Sequence, residues 1–239
     1  LPEILQLGGT LMLVNREHRI SRKYVPEDLV QPQVATRSQA VLDRLQVREE
    51  AARALERMFA AALLDGPELL ASNGYRSYYS QQASFDQKVA AVGSPEKAWR
   101  RVAPPGASEH QLGLAVDLNA PTMPNLNLAF KETPEGQWVA QHAHRYGFIL
   151  RYKKDWTKTT GYSEEPWHIR YVGVAHASAL HLLDIPLETY VLHASLLPEY
   201  VLHGANHYLL AGLVGPMLEG QEPPQLARLS AAAPADQEE

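Results

Sequence analysis

The stretch Ser108-Glu109-His110-Gln111-Leu112-Gly113-Leu114-Ala115-Val116-Asp117 constrains the fold of this chain more than any other, because its polar residues make chemical sense only with a partner from elsewhere. That partner stands about fifty residues further on, in Glu165-Pro166-Trp167-His168. His110, Asp117 and His168 together offer two imidazole nitrogens and one carboxylate oxygen, a donor set suited to a divalent ion such as zinc with its fourth position left for water. Glu165 is then the group placed to accept the proton of that water.

Local chemistry supports the convergence. Gly113 lets the chain bend between His110 and the alternating segment Leu114 to Leu118, which reads as a strand. On a strand Ala115 and Asp117 share one face and Val116 takes the other, so the carboxylate can point into a cleft while valine packs below. Position 115 is small and leaves room near an ion. Glu165 and His168 lie three apart, which in a regular strand puts them on opposite faces unless the backbone bulges. Pro166, which cannot donate to a ladder, favours such an irregularity.

The pattern S-x-H-x-x-G-x-A-x-D followed by E-P-W-H resembles the VanY-type D-alanyl-D-alanine carboxypeptidases, within the larger group of lysostaphin, D-Ala-D-Ala peptidase and hedgehog-like zinc proteins. Gly74-Tyr75-Arg76-Ser77-Tyr78-Tyr79-Ser80-Gln81 is similar to that family's G-Y-R-S segment with a following glutamine. The likeness runs from about residue 40 to about residue 190. It implies an enzyme with one zinc ion on His110, Asp117 and His168, with Glu165 as catalytic base. Arg76 would grip the terminal carboxylate of a peptide, the geometry a planar guanidinium fits with two parallel bonds. Ser108 and Gln81 would be neutral hydrogen-bonding partners of the same peptide end, and Tyr152 and Trp167 would line the pocket.

The expected reaction is removal of the C-terminal D-alanine from peptidoglycan stem peptides, a D,D-carboxypeptidase activity in the bacterial cell envelope outside the cytoplasmic membrane. Alternatives within the group are an L,D-carboxypeptidase or a D,D-dipeptidase. A different class of alternative is a non-catalytic, zinc-stabilised module that binds the cell wall. A structural zinc site is more often closed by a fourth protein ligand, and no fourth candidate stands at family-like spacing.

Composition bounds the remaining possibilities. The chain has 239 residues, 45% of them hydrophobic, enough for one sizeable core, and a formal charge of -5. A nucleic-acid partner would call for a basic stripe, which is missing. Cysteine is absent, which removes disulfides and thiolate ligands from consideration. No run of about 18 apolar residues indicates a transmembrane helix. The start at Leu1 rather than methionine suggests that a leader or anchor has been removed.

In chain order, residues 1–37 read as an N-terminal arm with a short strand at Thr10 to Asn15. From Ser38 the apolar positions recur at helical spacing and predict one long amphipathic helix ending near Gly66. Glu68 to Ser72 reads as a strand, 80–92 as a helix, and Ser94-Pro95 as the start of another. Thr133-Pro134 opens a helix that closes at Gly147, Phe148 to Tyr152 is a strand, and Lys153 to Tyr162 is a polar connection. The pattern predicts an α+β fold, a small mostly antiparallel β-sheet flanked by helices, with the zinc peptidase domain at 38–190. Residues 191–219 read as a helical C-terminal extension and 220–239 as a flexible tail. Leu187 to Ala194 is echoed at Leu197 to Gly204, two copies that are too few for a solenoid. His142 and His144 face different sides of their helix, and neither they nor histidines 181, 193, 203 and 207 form a converging ligand set.

Overall fold

The computed structural model describes residues 8–196. Its helices and strands follow the order β1 (Leu29–Val30), α1 (Gln39–Leu42), β2 (Val47–Arg48), α2 (Glu49–Asp65), β3 (Leu70–Asn73), α3 (Tyr78–Val92), α4 (Pro95–Ala98), β4 (Ala115–Asn119), α5 (Pro134–His142), β5 (Phe148–Tyr152), α6 (Thr157–Thr160), β6 (Glu165–Tyr171), α7 (Val174–Leu183) and α8 (Leu187–Leu196). Short 3-10 turns fill several of the gaps, among them Glu109–Leu112 just before β4. A four-stranded antiparallel sheet, ordered β3-β4-β6-β5, carries helices around it, which is the α+β class expected; β1 and β2 form a separate two-stranded ribbon.

The sheet has two unlike faces because its strands alternate. On one face Val116, Leu118, Phe148, Ile169 and Tyr171 join a core completed by α2, whose buried residues Ala51, Leu55, Met58 and Ala62 recur at three- and four-residue steps. Each fully buried leucine or methionine there contributes about 1.5–3 kcal/mol. Glu49 and Glu50 sit in the first turn of α2, where carboxylates favour the helix dipole. The opposite face of the sheet carries Ala115 and Asp117 of β4 opposite Arg170 and His168 of β6. Toward the β5 edge this face also holds a second apolar cluster of Leu11, Ile149, Val172, Ala177, Leu180 and Leu187.

Two sequence expectations are corrected. The long helix from Ser38 to Gly66 is two helices, α1 and α2, separated by an extended segment. The helical period is real on both sides, but Val47 and Arg48 pair with Val30 and Leu29, and Gln46 O accepts from Tyr75 N at 2.6 Å. Those long-range bonds outcompete the local helix. Thr10 to Asn15 is not a strand. The carbonyls of Thr10 and Met12 accept from the buried Arg170 side chain, at 2.9 and 3.0 Å, so a guanidinium takes the place of a neighbouring strand. The arm is nonetheless part of the core, through Leu11, Val14 and Ile20. The polar connection at Lys153 to Tyr162 contains α6, and the second copy of the 187–194 repeat lies outside the described residues.

The helix caps follow their residues. Ser77, Ser94 and Thr133 each accept a backbone N–H of the first turn they precede, and Pro95 and Pro134 take first-turn positions. Close approach of backbone dictates glycine at position 74. Gly74 lies so near Gln46 O that a β-carbon would stand 2.4 Å from it. Gly74→Ala should therefore destabilise the protein by about 1–3 kcal/mol. Calorimetry of the metal-free protein should show this as a melting temperature lower by roughly 2–4 °C per kcal/mol; an unchanged melt would mean that the turn gives way freely.

Candidate metal centre and substrate cleft

Strand register brings the first two ligand candidates together. Asp117 stands directly opposite His168 across the β4–β6 ladder, and Asp117 Oδ1 lies 3.0 Å from His168 Nδ1. His110 arrives from the 3-10 turn Glu109–Leu112, which ends at Gly113 in the left-handed region (φ 69°) before the chain enters β4. A β-carbon at Gly113 would also stand 2.9 Å from Leu29 Cδ2 and 3.0 Å from Arg48 Cγ, so the bend requires glycine. His110 Nε2 then lies 3.4 Å from Asp117 Oδ2.

The outer nitrogen of each imidazole is fixed by an acceptor. His110 Nδ1 donates to Gly74 O at 2.7 Å, and the N–H of Arg76 donates back to His110 O at 3.1 Å. His168 Nε2 faces Glu109 Oε2 at 3.4 Å. Each ring thus presents its remaining nitrogen to Asp117, which is itself oriented by Asn73 Nδ2 at 2.8 Å. The three ligand-type atoms lie within 4.8 Å of one another, all from buried residues, and form the one such group among the described residues. Four-coordinate zinc with bonds near 2.05 Å spaces its ligand atoms roughly 3.4 Å apart. The 3.0 and 3.4 Å contacts run to the two different oxygens of Asp117, and one ligand atom from each residue lies within 4.8 Å of the others, a spacing that closes on such an ion with a small side-chain adjustment.

The bulge expected beside Pro166 is present. Leu150 pairs with Ile169 while Tyr152 pairs with Glu165, so β6 carries extra residues against β5. The displacement brings Glu165 Oε2 to 4.0 Å from His168 Nδ1. His110, Asp117, His168, Glu165, Arg76, Gln81, Ser108, Tyr152 and Trp167 all line one cleft of about 230 Å³. Arg76 Nη1 donates to Gln81 Oε1 at 3.1 Å, and Gln81 Nε2 donates to Ala103 O at 2.6 Å. Both ends of the buried Gln81 amide are thus engaged, and it braces the Arg76 guanidinium within the cleft. Ser108 makes no capping bond to the turn that follows it. Tyr152 packs its ring 5.0 Å from that of His168.

Sequence reasoning missed the support behind the ligands. Glu109 is fully buried and accepts from Arg151 Nε at 2.8 Å and from Arg170 Nη1 at 2.9 Å. The available signal was an arginine next to apolar residues in each of two strands, after Leu150 in FILRY and after Ile169 in EPWHIRY, since a buried guanidinium demands a carboxylate. Two larger cavities lie elsewhere, one of about 330 Å³ beside the stacked His144 and His181 rings and one of about 490 Å³ between the arm and α8. His142 packs instead against Trp138.

Charges in the site respond to these neighbours. Burial alone would raise Glu109 and Asp117. The two guanidiniums instead hold Glu109 well below the usual carboxylate range, and His110 and His168 do the same to Asp117. Burial pushes Glu165 up to about 7, against the pull of His168. Burial opposes charge on His168, yet its hydrogen bonds to Asp117 and Glu109 raise it to about 9, while burial lowers His110.

A family model described as VanY, D-alanyl-D-alanine carboxypeptidase, matches residues 44–174, more than half of the chain. The chain belongs to the VanY family. It is 44% identical over 181 residues to the putative carboxypeptidase YodJ of Bacillus subtilis (strain 168), covering 75% of this chain and 66% of that protein, so it spans about two thirds of that relative's length. Among solved structures, the LdcB LD-carboxypeptidase is 43% identical with a TM-score of 0.73, covering 77% of this chain and 86% of the other. A vancomycin-resistance D,D-pentapeptidase VanY in complex with Zn(II) is 36% identical with a TM-score of 0.64, covering 76% and 98%. That relative's zinc and the buried His110, Asp117 and His168 of this VanY-family chain agree on the metal.

Zinc uptake should be coupled to proton release. Below about 9 the metal-free His168 carries a proton, which a metal ion must displace. Binding at pH 7 should release about one proton, and apparent affinity should rise up to about tenfold per pH unit toward 9, then level off. Calorimetry in buffers of different ionisation enthalpy measures this directly; a heat of binding independent of buffer would contradict it.

Proposed function

We propose that this chain is a zinc-dependent carboxypeptidase that releases the C-terminal D-alanine of peptidoglycan stem peptides, on the outer side of the cytoplasmic membrane. The observation that carries the reading is the meeting, in one cleft, of a three-ligand set, a carboxylate at Glu165 with no hydrogen bond among the described residues, and the guanidinium of Arg76. In this reading residues 38–190 form the catalytic unit, with the arm closing its back.

His110, Asp117 and His168 would hold a single zinc ion, which supplies Lewis acidity to polarise a carbonyl and to lower the pKa of water toward ~7. Arg76, braced by Gln81 and Ala103 O, takes the substrate's terminal carboxylate in two parallel bonds and so sets which peptide bond reaches the ligands. Ser108 offers a hydroxyl to the same peptide end. Glu165 takes a proton from the attacking water and delivers it to the leaving amine. A carboxyl near 7 suits both halves of that transfer at neutral pH, because it can accept the proton and then release it. Tyr152 and Trp167 wall the pocket, and Ala115 leaves space beneath the reacting bond. A protein that only bound wall peptides would have no use for a carboxylate poised at this place.

A second reading, cleavage of the L,D bond of a tetrapeptide, is favoured by the higher identity and TM-score to LdcB than to the zinc-bound VanY. Both reactions release D-alanine. Mass spectrometry of defined pentapeptide and tetrapeptide stems after incubation separates them, and release of an intact dipeptide would mark a dipeptidase instead.

Glu165→Gln should lower kcat by about 10²–10⁴-fold while zinc content stays that of the wild type; undiminished turnover would remove Glu165 from the mechanism. Arg76→Lys should lower kcat/KM by roughly tenfold or more for peptides with a free C-terminus, since the two-pronged grip is lost. The same loss should appear in the wild type on a C-terminally amidated peptide and should shrink in the variant. An equal amide penalty in both would place carboxylate recognition elsewhere.

A further inference from the structure

Four charged side chains are buried together behind His168. Glu109 Oε2 faces His168 Nε2, and Glu109 Oε1 accepts from both Arg151 and Arg170. Arg151 turns its other two nitrogens to Glu188, with Nη1 to Oε2 at 2.9 Å and Nη2 to Oε1 at 2.6 Å, a bidentate fork. Asn15 Nδ2 adds a contact to Glu188 Oε1 at 3.4 Å, and Arg170 Nη2 holds the arm by the carbonyls of Thr10 and Met12. Both arginine side chains and that of Glu109 are fully buried, whereas Glu188 is 11% exposed and lines the 490 Å³ cavity between arm and α8. Two positive charges meet two negative ones, so the set is neutral only when complete.

We propose that Glu188, which lies in α8 beyond the residues matched by the family model, is a positioning residue for the metal centre. It aligns Arg151, Arg151 with Arg170 aligns Glu109, and Glu109 holds the His168 ring with Nδ1 toward Asp117. The inference rests on reading His110, Asp117 and His168 as zinc ligands.

The physical need for such a chain is specific. A neutral imidazole has one N–H, and an acceptor at Nε2 places the proton there and frees the Nδ1 lone pair for a metal. A lone buried carboxylate would be a poor acceptor for this task, because desolvation favours its neutral form and nothing fixes its torsions. The fork of Arg151 spans both carboxylates, so it is rigid only while Glu188 occupies the far prongs. Without the Glu188 carboxylate the guanidinium loses both bonds at its far end and keeps only the Nε bond to Glu109, about which it can turn. The chain thus couples the packing of α8 to the aim of a ligand on β6. A plain fold-stabilising ion pair would affect melting but would not choose which nitrogen of His168 is free.

The test compares wild type, Glu188→Gln, Glu109→Gln and the double variant by zinc affinity against a competing chelator, by ¹⁵N-edited NMR of the His168 Nε2–H in the zinc-loaded protein, and by melting of the metal-free protein. Glu109→Gln should weaken zinc binding by about 10–100-fold. Glu188→Gln should weaken it by roughly 3–10-fold, with a displaced and faster-exchanging Nε2–H resonance. In the Glu109→Gln background, Glu188→Gln should change zinc affinity by less than about twofold, because its route is already cut. Should Glu109→Gln fail to fold, Arg151→Lys takes its place, since lysine keeps the charge but cannot span both carboxylates, and the same non-additivity is expected. Glu188→Gln that melts lower yet binds zinc like the wild type and leaves the resonance unmoved overturns the proposal. So do additive losses in the double variant, which would mean that Glu188 acts through its field alone. Wild-type protein that does not bind zinc overturns the ligand assignment and this inference with it.

Discussion

The pairing of Asp117 with His168 across β4 and β6 is the constraint on which the molecule's chemistry rests. A cross-strand pair holds side chains from distant parts of the sequence at a spacing set by the backbone ladder. A slip of one residue in either strand would turn its member of the pair to the opposite face, into the apolar core against α2. Register is secured on that core side by Val116 and Ile169, which pair next to the polar couple and are both fully buried. The hydrophobic face therefore fixes the geometry of the polar face, and the third ligand needs only a left-handed turn at Gly113 and the tie from His110 to Gly74 to join them.

Two glutamates near this pair are driven to opposite behaviour by their surroundings. Glu109 is sandwiched between Arg151 and Arg170 and stays charged, a fixed acceptor. Glu165, largely desolvated and with no hydrogen bond among the described residues, has its carboxyl raised to about 7. Two identical carboxyl groups thereby differ, one held ionised by paired guanidiniums and one whose proton is exchangeable near neutrality. Removing Glu109 would leave two buried guanidiniums with Glu188 as their one remaining carboxylate, and Arg170 without a charged partner, a change of the kind that costs about 3–5 kcal/mol. That burial is a price in stability that a purely structural core would avoid with apolar residues.

The convergence of His110, Asp117 and His168, the presence of Glu165 in the same cleft and the bulge beside Pro166 were legible in the sequence, because few residue types can serve a metal and their spacing on a strand restricts how they can meet. The α+β class and most helices were legible from apolar period and capping residues. Glu109 escaped notice, although it stands between two residues that did not, because its partners Arg151 and Arg170 are identified only by a fold that buries all three. The break between α1 and α2 was hidden for a related reason. A helical pattern describes what a segment would do alone, and residues 43–48 are claimed instead by β1 and by the turn at Tyr75. The arm shows the same limit, since the acceptors at Thr10 and Met12 are satisfied by a side chain 160 and 158 residues away.

The two sides of the cleft are built from different parts of the fold. Asp117, His168 and Glu165 come from paired strands, whereas Arg76, Gln81 and Ser108 come from a turn, from α3 and from the loop before the 3-10 turn. Of α3 only Gln81 and Phe85 are buried, so this wall of the cleft is lightly tied to the core. Changes there can reshape the cleft without moving the His-Asp-His group on and beside the strands. The link between the halves is short. Arg76 N donates to His110 O, so the guanidinium-bearing turn is registered by a single backbone bond against one member of the His-Asp-His group.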